Sequence, residues 1–336
     1  MLSAMGLCMR SPFAVLSVAV RLVVMAAALA LAASAPARAA GATPLVSVDW
    51  LAAHRGDPDV VVLDIRSAID GGGTDAFAKA HIPGAVHSDY DKAGWRVTRD
   101  GVPFRLPSVA ALEKLIGELG IDEDNHVVVV PAGVHASDFA AAARVYWTLK
   151  VAGLAQVSIL DGGFAAWAAK PAHPVESGPR TPSPKIFTAS IDRALVAATP
   201  DVEQAERDHS AALVDARPAT FFLGREKAPQ VALYGHIRQA INLDHALFYD
   251  PVTNRLRPAA DLARIAAQVP AGPAITYCNT GHWSATDWFV LSEILGRKNT
   301  RLYDGSMAAW TTDVSRPVES SRTKWDDLKK ALGLGT

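Results

Sequence analysis

Cysteine is nearly absent from this chain, because Cys8 and Cys278 are the only two among its 336 residues. A cleaved N-terminal leader containing Cys8 would leave Cys278 as the sole thiol, so no intramolecular disulfide could form. A lone thiol in an oxidising compartment is either an inert buried side chain or one retained for chemistry. Cysteine usage alone leaves both interpretations open.

The N-terminus also lacks an apolar run long enough to cross a bilayer, which needs about 20 residues. Its apolar stretch, 22–33, follows Arg10 and Arg21, and small residues at Ala37 and Ala39 suit a peptidase site. We therefore expect a cleavable signal peptide at 1–39, a periplasmic or secreted protein, and no membrane segment after cleavage. The remaining residues suffice for two domains of ordinary size.

An excess of basic charge is missing as well. The chain has 33 Lys and Arg against 34 Asp and Glu, and no basic cluster. This balance excludes the electrostatic pattern of a nucleic-acid-binding protein and favours small-molecule or protein partners.

An internal duplication is present. Three segments of the first half recur in the same order in the second half, at offsets of 143 to 155 residues, which indicates a duplicated domain rather than a solenoid. The pairs are 61–66 with 212–217, 80–86 with 235–241, and 160–167 with 303–310.

A proline-rich stretch separates the two halves. Five prolines lie in the fourteen positions from Pro171 to Pro184, too many for a helix, and predict an extended linker at 170–185. We place the domains at 43–169 and 186–320, followed by a C-terminal helical tail at 321–336.

Short apolar runs alternate with segments of helical periodicity in both halves. This pattern predicts an α/β fold in which each domain is a mostly parallel sheet with helices on both faces. The predicted strands are 60–64, 127–130, 157–160, 211–215, 275–277 and 301–303, and the predicted helices are 109–119, 140–151, 259–268 and 284–295.

Cys278 follows the predicted strand 275–277, at the sheet edge where ligands bind in parallel α/β folds. Ser284 and Asp287 then predict a capped helix start. Loop amides and the helix N-terminus both favour an anion, so a thiolate at Cys278 would be stabilised. Gly281 suits a tight turn or close backbone approach, and Thr280 and His282 could donate hydrogen bonds to bound sulfur or an oxyanion.

A strand–Cys-x-x-Gly–helix loop in the second of two repeated domains resembles the rhodanese (thiosulfate sulfurtransferase) family. The Asp64/Arg66 and Asp215/Arg217 strand ends, the His-Ile segments at 81 and 236 and the Asp-Gly turns before Trp167 and Trp310 carry the resemblance. It implies one active site per chain, because the first-domain loop 131–137 has no Cys.

The resemblance also implies a two-step sulfur transfer without a metal or organic cofactor. Cys278 would take sulfane sulfur from a small sulfur-containing anion as a persulfide and pass it to cyanide or a thiol. The loop residues Asn279, Thr280, Gly281, His282 and Trp283 would stabilise the persulfide or an oxyanion. We expect the protein to be a monomer.

Two departures leave the donor open between thiosulfate and 3-mercaptopyruvate. The loop 278–283 has neither the basic residue that follows Cys in thiosulfate-specific members nor the Cys-Gly-[Ser/Thr]-Gly-Val-[Ser/Thr] sequence of mercaptopyruvate-specific ones. Phe221 stands where vertebrate-type members carry an arginine. We therefore predict Arg225 and Lys227 as substrate-binding charges.

Some neighbouring residues have two interpretations. Arg217 is a predicted substrate ligand, or else a fold-stabilising partner of Asp215. His236 is more simply a residue that fixes its loop, and Trp95 and Arg96 could bring the first domain to the cleft.

Two other function classes also use a reactive cysteine. A Cys-x₅-Arg phosphatase is disfavoured, because the sixth residue after Cys278 is Ser284 and the loop has no arginine to bind phosphate. A non-catalytic persulfide carrier or redox-sensing protein stays open.

Overall fold

Two parallel β-sheets, one in each half of the chain, organise the computed structural model, which describes residues 42–323. The predicted signal peptide at 1–39 lies outside these residues, as does most of the predicted tail at 321–336. Within the described part, no helix is long and apolar enough to cross a membrane.

The first sheet has the order β1-β7-β6-β2-β3, with all neighbours parallel, and β4 and β5 form a separate hairpin. The strands of this half are β1 (Leu45–Val46), β2 (Val60–Asp64), β3 (Val86–His87), β4 (Val97–Arg99), β5 (Val102–Arg105), β6 (His126–Val130) and β7 (Gln156–Leu160). Its helices are α1 (Val48–His54), α2 (Thr74–Lys79), α3 (Val109–Glu118), α4 (Ala136–Val151) and α5 (Gly163–Ala168). Every residue of β6 is buried, because helices cover both faces of the sheet.

The second sheet, β10-β8-β13-β14, repeats the order β3-β2-β6-β7, again with parallel neighbours. The strands here are β8 (Ala212–Asp215), β9 (His236–Ile237), β10 (Ile241–Asn242), β11 (Tyr249–Asp250), β12 (Arg255–Leu256), β13 (Ala274–Tyr277), β14 (Thr300–Leu302) and β15 (Val318–Glu319). The helices are α6 (Thr199–Asp208), α7 (Ala219–Phe222), α8 (Ala259–Ala266), α9 (Ser284–Trp288) and α10 (Ser306–Trp310). The predicted α/β architecture with two similar domains is confirmed.

The segment 170–185 contains no helix. Its backbone is tied to the first half, since the His81 amide donates to the Glu176 carbonyl at 2.9 Å and the Lys185 amide donates to the Gly117 carbonyl at 2.9 Å. The domain boundary within this segment stays a prediction.

The predicted helix at 284–295 is present, but its second part is a π-helix rather than an α-helix. The α-helix α9 ends at Trp288, and a π-helix follows at Phe289–Ile294. Side-chain periodicity cannot distinguish these two forms, because the hydrogen-bond spacing that separates them is set by packing.

The two sheets share one hydrophobic core, into which both α4 and α9 pack. The Tyr146 ring of α4 meets Phe289 edge-on at 5.0 Å, and its hydroxyl donates to Glu293 at 2.9 Å. Thirteen of the sixteen residues of α4 are buried, although its sequence is not strongly amphipathic. The interface between the halves is therefore a fixed surface, and the candidate site lies along it.

Candidate active site

Cys278 lies directly after β13, and its side chain is 1% exposed. Its amide donates to the Ser306 hydroxyl at 3.0 Å, and its carbonyl accepts from the Met307 amide at 3.0 Å. The Ser284 hydroxyl lies 3.7 Å from the sulfur. The α10 segment thus fixes the backbone of Cys278, and α9 supplies a hydroxyl to its sulfur.

The predicted capping arrangement at Ser284 was wrong. Trp283 is the N-cap of α9 in helical conformation and makes no side-chain cap, so the Ser284 hydroxyl is directed to Cys278 instead. Asp287 is fully buried, and neither of its carboxylate oxygens has a hydrogen-bond partner. Burial, with repulsion from Asp244 and Cys278, raises the pKa of Asp287 well above its ordinary value.

The loop after Cys278 has its carbonyl groups bound elsewhere in the protein. Those of Cys278 and Asn279 accept from α10, those of His282 and Trp283 accept from α9, and that of Gly281 accepts from Arg144 at 2.8 Å. Within residues 42–323, no acceptor is found for the backbone amides of 279–283. The loop therefore offers N–H groups, and few carbonyl oxygens, to an anion.

Gly281 adopts a φ of +76°, in the left-handed region. A β-carbon at this position would collide with the Arg144 guanidinium and would lie 2.7 Å from the Asp304 carbonyl oxygen. The sequence predicted either a tight turn or a close backbone approach at this glycine, and the structure shows both.

A cavity of about 440 Å³ opens above Cys278 between the two halves. The first half contributes Ile69, Asp91, Arg96, Phe104 and Ser137, and the second contributes Ala228, Gln230, Cys278, Asn279, Thr280, His282 and Trp283. The structure thus places the predicted Arg96 at the cleft, whereas Trp95 is buried and donates to Ser88.

Arg217 is placed behind the loop rather than in the cavity. It is 1% exposed, binds the Asp215 carboxylate through two nitrogens, and donates to Asn279 Oδ1 at 3.3 Å and to the Gly235 carbonyl at 2.8 Å. This geometry corresponds to the structural alternative. His236 likewise hydrogen-bonds a backbone carbonyl, that of Phe222, at 2.7 Å.

Arg225 and Lys227, predicted to bind substrate, are not among the residues that line the cavity. Arg225 is exposed, and Lys227 Nζ donates to the Val231 carbonyl at 2.5 Å. The segment turns so that Ala228 and Gln230 face the cavity in their place. Sequence proximity was misleading here, because the loop path decides which side chains point inward.

His282 is anchored by the first half on both ring nitrogens. Tyr90 Oη lies 2.8 Å from Nδ1, and Ser137 Oγ lies 3.0 Å from Nε2. Burial, together with the positive charge of Arg96, lowers the pKa of His282 well below its ordinary value and so favours the neutral ring. Its nitrogens are occupied, and the expectation that His282 donates to bound sulfur does not fit this geometry.

Trp283 and Thr280 complete the loop's cavity-facing residues. Trp283 stacks on His245 at 5.0 Å and meets Phe221 edge-on at 5.8 Å, so Phe221 supports an aromatic wall at this loop. Thr280 lines the cavity, and its role as a donor stays a prediction.

Three arginines approach the loop from the first half. Arg96 pairs with Asp91 at 3.0 Å, while Asp304 is shared between Arg105 at 3.1 Å and the buried Arg144 at 4.0 Å. Of these three, Arg96 lines the cavity, where its guanidinium suits an anionic ligand. Within residues 42–323, no group of three or more His, Cys, Asp or Glu is placed to hold a metal ion.

Sequence reasoning missed Tyr90, Ser137 and Arg144, which belong to the first half. One signal was available for Ser137: it ends the loop 131–137, the first-half counterpart of 278–284, so it corresponds to Ser284. Only the packing of α4 against α9 reveals that these two loops meet.

Comparisons with known proteins identify the family to which the chain belongs. The rhodanese-like domain family model matches residues 47–170 and 199–313. The 3-mercaptopyruvate sulfurtransferase of Escherichia coli (strain K12) is 30% identical over 283 residues, 82% of this chain and 98% of the relative. The thiosulfate sulfurtransferase of Bos taurus is 31% identical over 280 residues, which cover 79% of this chain and 91% of the relative.

Among solved structures, the 3-mercaptopyruvate sulfurtransferase SseA from Escherichia coli superposes with a TM-score of 0.67 at 28% identity, covering 79% of this chain and 98% of that one. Two family-model matches span most of the described residues, each centred on one of the two sheets. The chain therefore belongs to the rhodanese family of sulfurtransferases.

Proposed function

We propose that the protein transfers the sulfane sulfur of thiosulfate to cyanide or a thiol, with Cys278 as the carrier. One observation carries the proposal: the Cys278 sulfur lies at a cavity lined by both domains, in a loop whose amides have no acceptor in the described protein. A sulfur anion formed on Cys278 would be surrounded by donors rather than by oxygen atoms.

The first step is attack of the Cys278 thiolate on the outer sulfur of thiosulfate. A new S–S bond forms as the donor's S–S bond breaks, and sulfite leaves with the electron pair. In the second step the acceptor attacks the outer sulfur, and the bonding pair returns to Cys278 as a thiolate. Charge is conserved in both steps, and no oxidant or reductant is needed.

Two features of the site support this assignment of roles. The Ser284 hydroxyl, 3.7 Å from the sulfur, and the free loop amides are hydrogen-bond donors available to a persulfide on Cys278. The Arg96 guanidinium, which lines the cavity, favours a small anionic donor.

A second donor, 3-mercaptopyruvate, is favoured by the nearly full-length match to the Escherichia coli sulfurtransferase of that name. The loop 278–283 matches neither substrate pattern. The ratio of kcat/KM for thiosulfate to that for 3-mercaptopyruvate distinguishes the two donors directly.

The test uses the purified protein with thiosulfate and cyanide. We expect thiocyanate to form, a mass increase of one sulfur atom on Cys278 after donor addition alone, and both signals to vanish in Cys278→Ser. Thiocyanate production by the Ser variant would refute the role of Cys278. A stable persulfide without turnover in cyanide or thiol would show a sulfur carrier rather than an enzyme.

Export to the periplasm or outside the cell, after removal of residues 1–39, is a further part of the proposal. It rests on the arginines, the short apolar run and the small residues of that segment. N-terminal sequencing of the protein from fractionated cells tests it, and an intact N-terminus in the cytoplasmic fraction would contradict it. We also propose a monomer, since one chain supplies all of the cavity walls described.

A further inference from the structure

Ser137 occupies a distinctive position, because it is a first-domain hydroxyl that lines the cavity opposite Cys278. It is the second residue of α4 and is only partly buried. Two side chains of the Cys278 loop contact its oxygen: His282 Nε2 at 3.0 Å and Trp283 Nε1 at 3.3 Å. The direction of these two hydrogen bonds decides where the Ser137 proton points.

The bond from Trp283 has one possible direction. An indole nitrogen only donates, so the Ser137 oxygen accepts from Trp283. A hydroxyl has two acceptor positions and one proton, which leaves Ser137 one further acceptor position and its own O–H.

The bond with His282 could run either way, since a neutral imidazole carries one proton. If that proton were on Nδ1, the ring would donate to Tyr90, and Ser137 would donate to Nε2. Tyr90 is 1% exposed, and among the described residues its hydroxyl has no other partner than His282. In this arrangement the Tyr90 O–H would be a buried donor without an acceptor, which costs about 1–3 kcal/mol.

The other tautomer satisfies the buried Tyr90 and His282 and leaves the unpaired proton on the partly buried Ser137. Tyr90 donates to Nδ1, and the His282 proton on Nε2 is donated to Ser137. Ser137 then accepts two hydrogen bonds, from His282 and Trp283, and its own proton has no acceptor within residues 42–323. Its free direction is toward the cavity that it lines.

We propose that Ser137 is a substrate-binding residue whose hydroxyl donates to an oxygen of the anionic sulfur donor, beside the guanidinium of Arg96. The Tyr90–His282 pair acts as the positioning element that keeps this proton available. This assignment rests on the proposed function and extends it, because it places recognition of the donor's oxygen end on the domain that lacks the cysteine.

Arg96 is held rigidly for the same task. Its guanidinium lies 4.1 Å from the centroid of the Tyr90 ring and 4.7 Å from that of Phe104, and it is paired with Asp91. The aromatic faces and the carboxylate fix its orientation before any ligand enters, which reduces the ordering cost of binding.

The first test measures binding without sulfur transfer. Thiosulfate is titrated calorimetrically into Cys278→Ser and into the double variant Cys278→Ser/Ser137→Ala. Loss of a hydrogen bond to a charged ligand should raise Kd about tenfold or more. Equal Kd values, or no thiosulfate binding to Cys278→Ser at all, would overturn the proposal.

The second test separates a direct contact from a structural effect. In Ser137→Ala, KM should rise for thiosulfate but change little for inorganic polysulfide, which has no oxygen atoms, and Ser137→Thr should recover most of the thiosulfate KM. Ser183→Ala, at an exposed position outside the cavity lining, is the matched control. Equal KM increases for both donors would show that Ser137 acts only by supporting the loop.

The third test examines the His282 tautomer. Nitrogen-15 NMR of histidine-labelled protein should show the proton on Nε2, and a proton on Nδ1 would overturn the hydrogen-bond assignment whatever the activity. Failure of the proposed function is recognised separately, as the absence of a Cys278 persulfide in the wild-type protein.

Discussion

The Arg144 guanidinium donates to the Gly281 carbonyl at 2.8 Å, and so links a helix of the domain without cysteine to the loop that holds Cys278. Arg144 is fully buried and also contacts the Phe104 carbonyl and Asp304. By holding the Gly281 oxygen on the side away from the cavity, it helps the loop present amides to the ligand. The first domain therefore forms part of the active site rather than only a scaffold.

Replacing Arg144 should damage both stability and turnover. Arg144→Ala leaves the Gly281 carbonyl and part of the Asp304 charge uncompensated, which should lower the free energy of unfolding by about 3–5 kcal/mol. Urea unfolding and the thiosulfate–cyanide assay measure the two effects. The control is Arg180→Ala, at an exposed position, for which we expect a change within about 0.5 kcal/mol. An Arg144→Ala protein with wild-type kcat would contradict the role of this contact.

Gly281→Ala should lower the stability of the fold more than the replacement of another glycine with a similar φ. It combines left-handed strain with a collision against Arg144 and the Asp304 backbone, so we expect a loss of about 3 kcal/mol and a large drop in kcat. Gly71→Ala, with φ of +79° and open space around its added carbon, should cost about 1 kcal/mol. Thermal unfolding of both variants measures the two losses of stability. Equal losses would show that the close approach of Arg144 and Asp304 to Gly281 is unimportant.

Donor recognition should depend on Arg96 and not on Arg225 or Lys227. Arg96→Ala should raise the KM for thiosulfate about tenfold or more, since a charge-assisted contact is lost. The double variant Arg225→Ala/Lys227→Ala should change KM less than twofold, because neither residue lines the cavity. Steady-state kinetics on the two variants measures both KM values. A larger KM increase in the double variant than in Arg96→Ala would support Arg225 and Lys227 as the substrate-binding residues, as the sequence predicted.

Asp138 should make stability depend on pH. Burial raises its pKa to about 6, and the hydrogen bond from the Val134 amide at 2.7 Å only partly opposes this. Because the unfolded chain loses this proton near pH 4 and the folded protein near pH 6, the group destabilises the fold progressively across that interval, by about 3 kcal/mol in total.

Asp138→Asn should therefore gain stability relative to the wild type as the pH rises from 4 to 6, with a constant difference above that. Urea unfolding at pH 4, 5, 6 and 7.5 measures it. A pH-independent difference between the two proteins would show that folding does not shift the pKa of Asp138. Asp57→Asn, at an exposed carboxylate, serves as the comparison.

Much of the fold was predictable because it depends on local patterns. Buried apolar runs such as β6 and the repeated Asp-x-Arg strand ends indicated parallel sheets and a duplication without any knowledge of contacts. The π-helix after Trp288 and the unpartnered Asp287 were not predictable, because both arise from packing against neighbouring elements.

The structure places Cys278 after its strand, as the sequence predicted, but it places Arg225 outside the cavity lining. A thiol directly after a buried strand must lie at the carboxyl edge of the sheet, so its position follows from the chain's own order. Which charges face it depends on the path of a loop and on the approach of another domain. Sequence alone determined the two α/β domains and the position of Cys278. Only the tertiary structure decided that Arg96, Ser137 and Arg144 lie around the Cys278 loop, because side chains far apart in sequence meet only when the two sheets pack together.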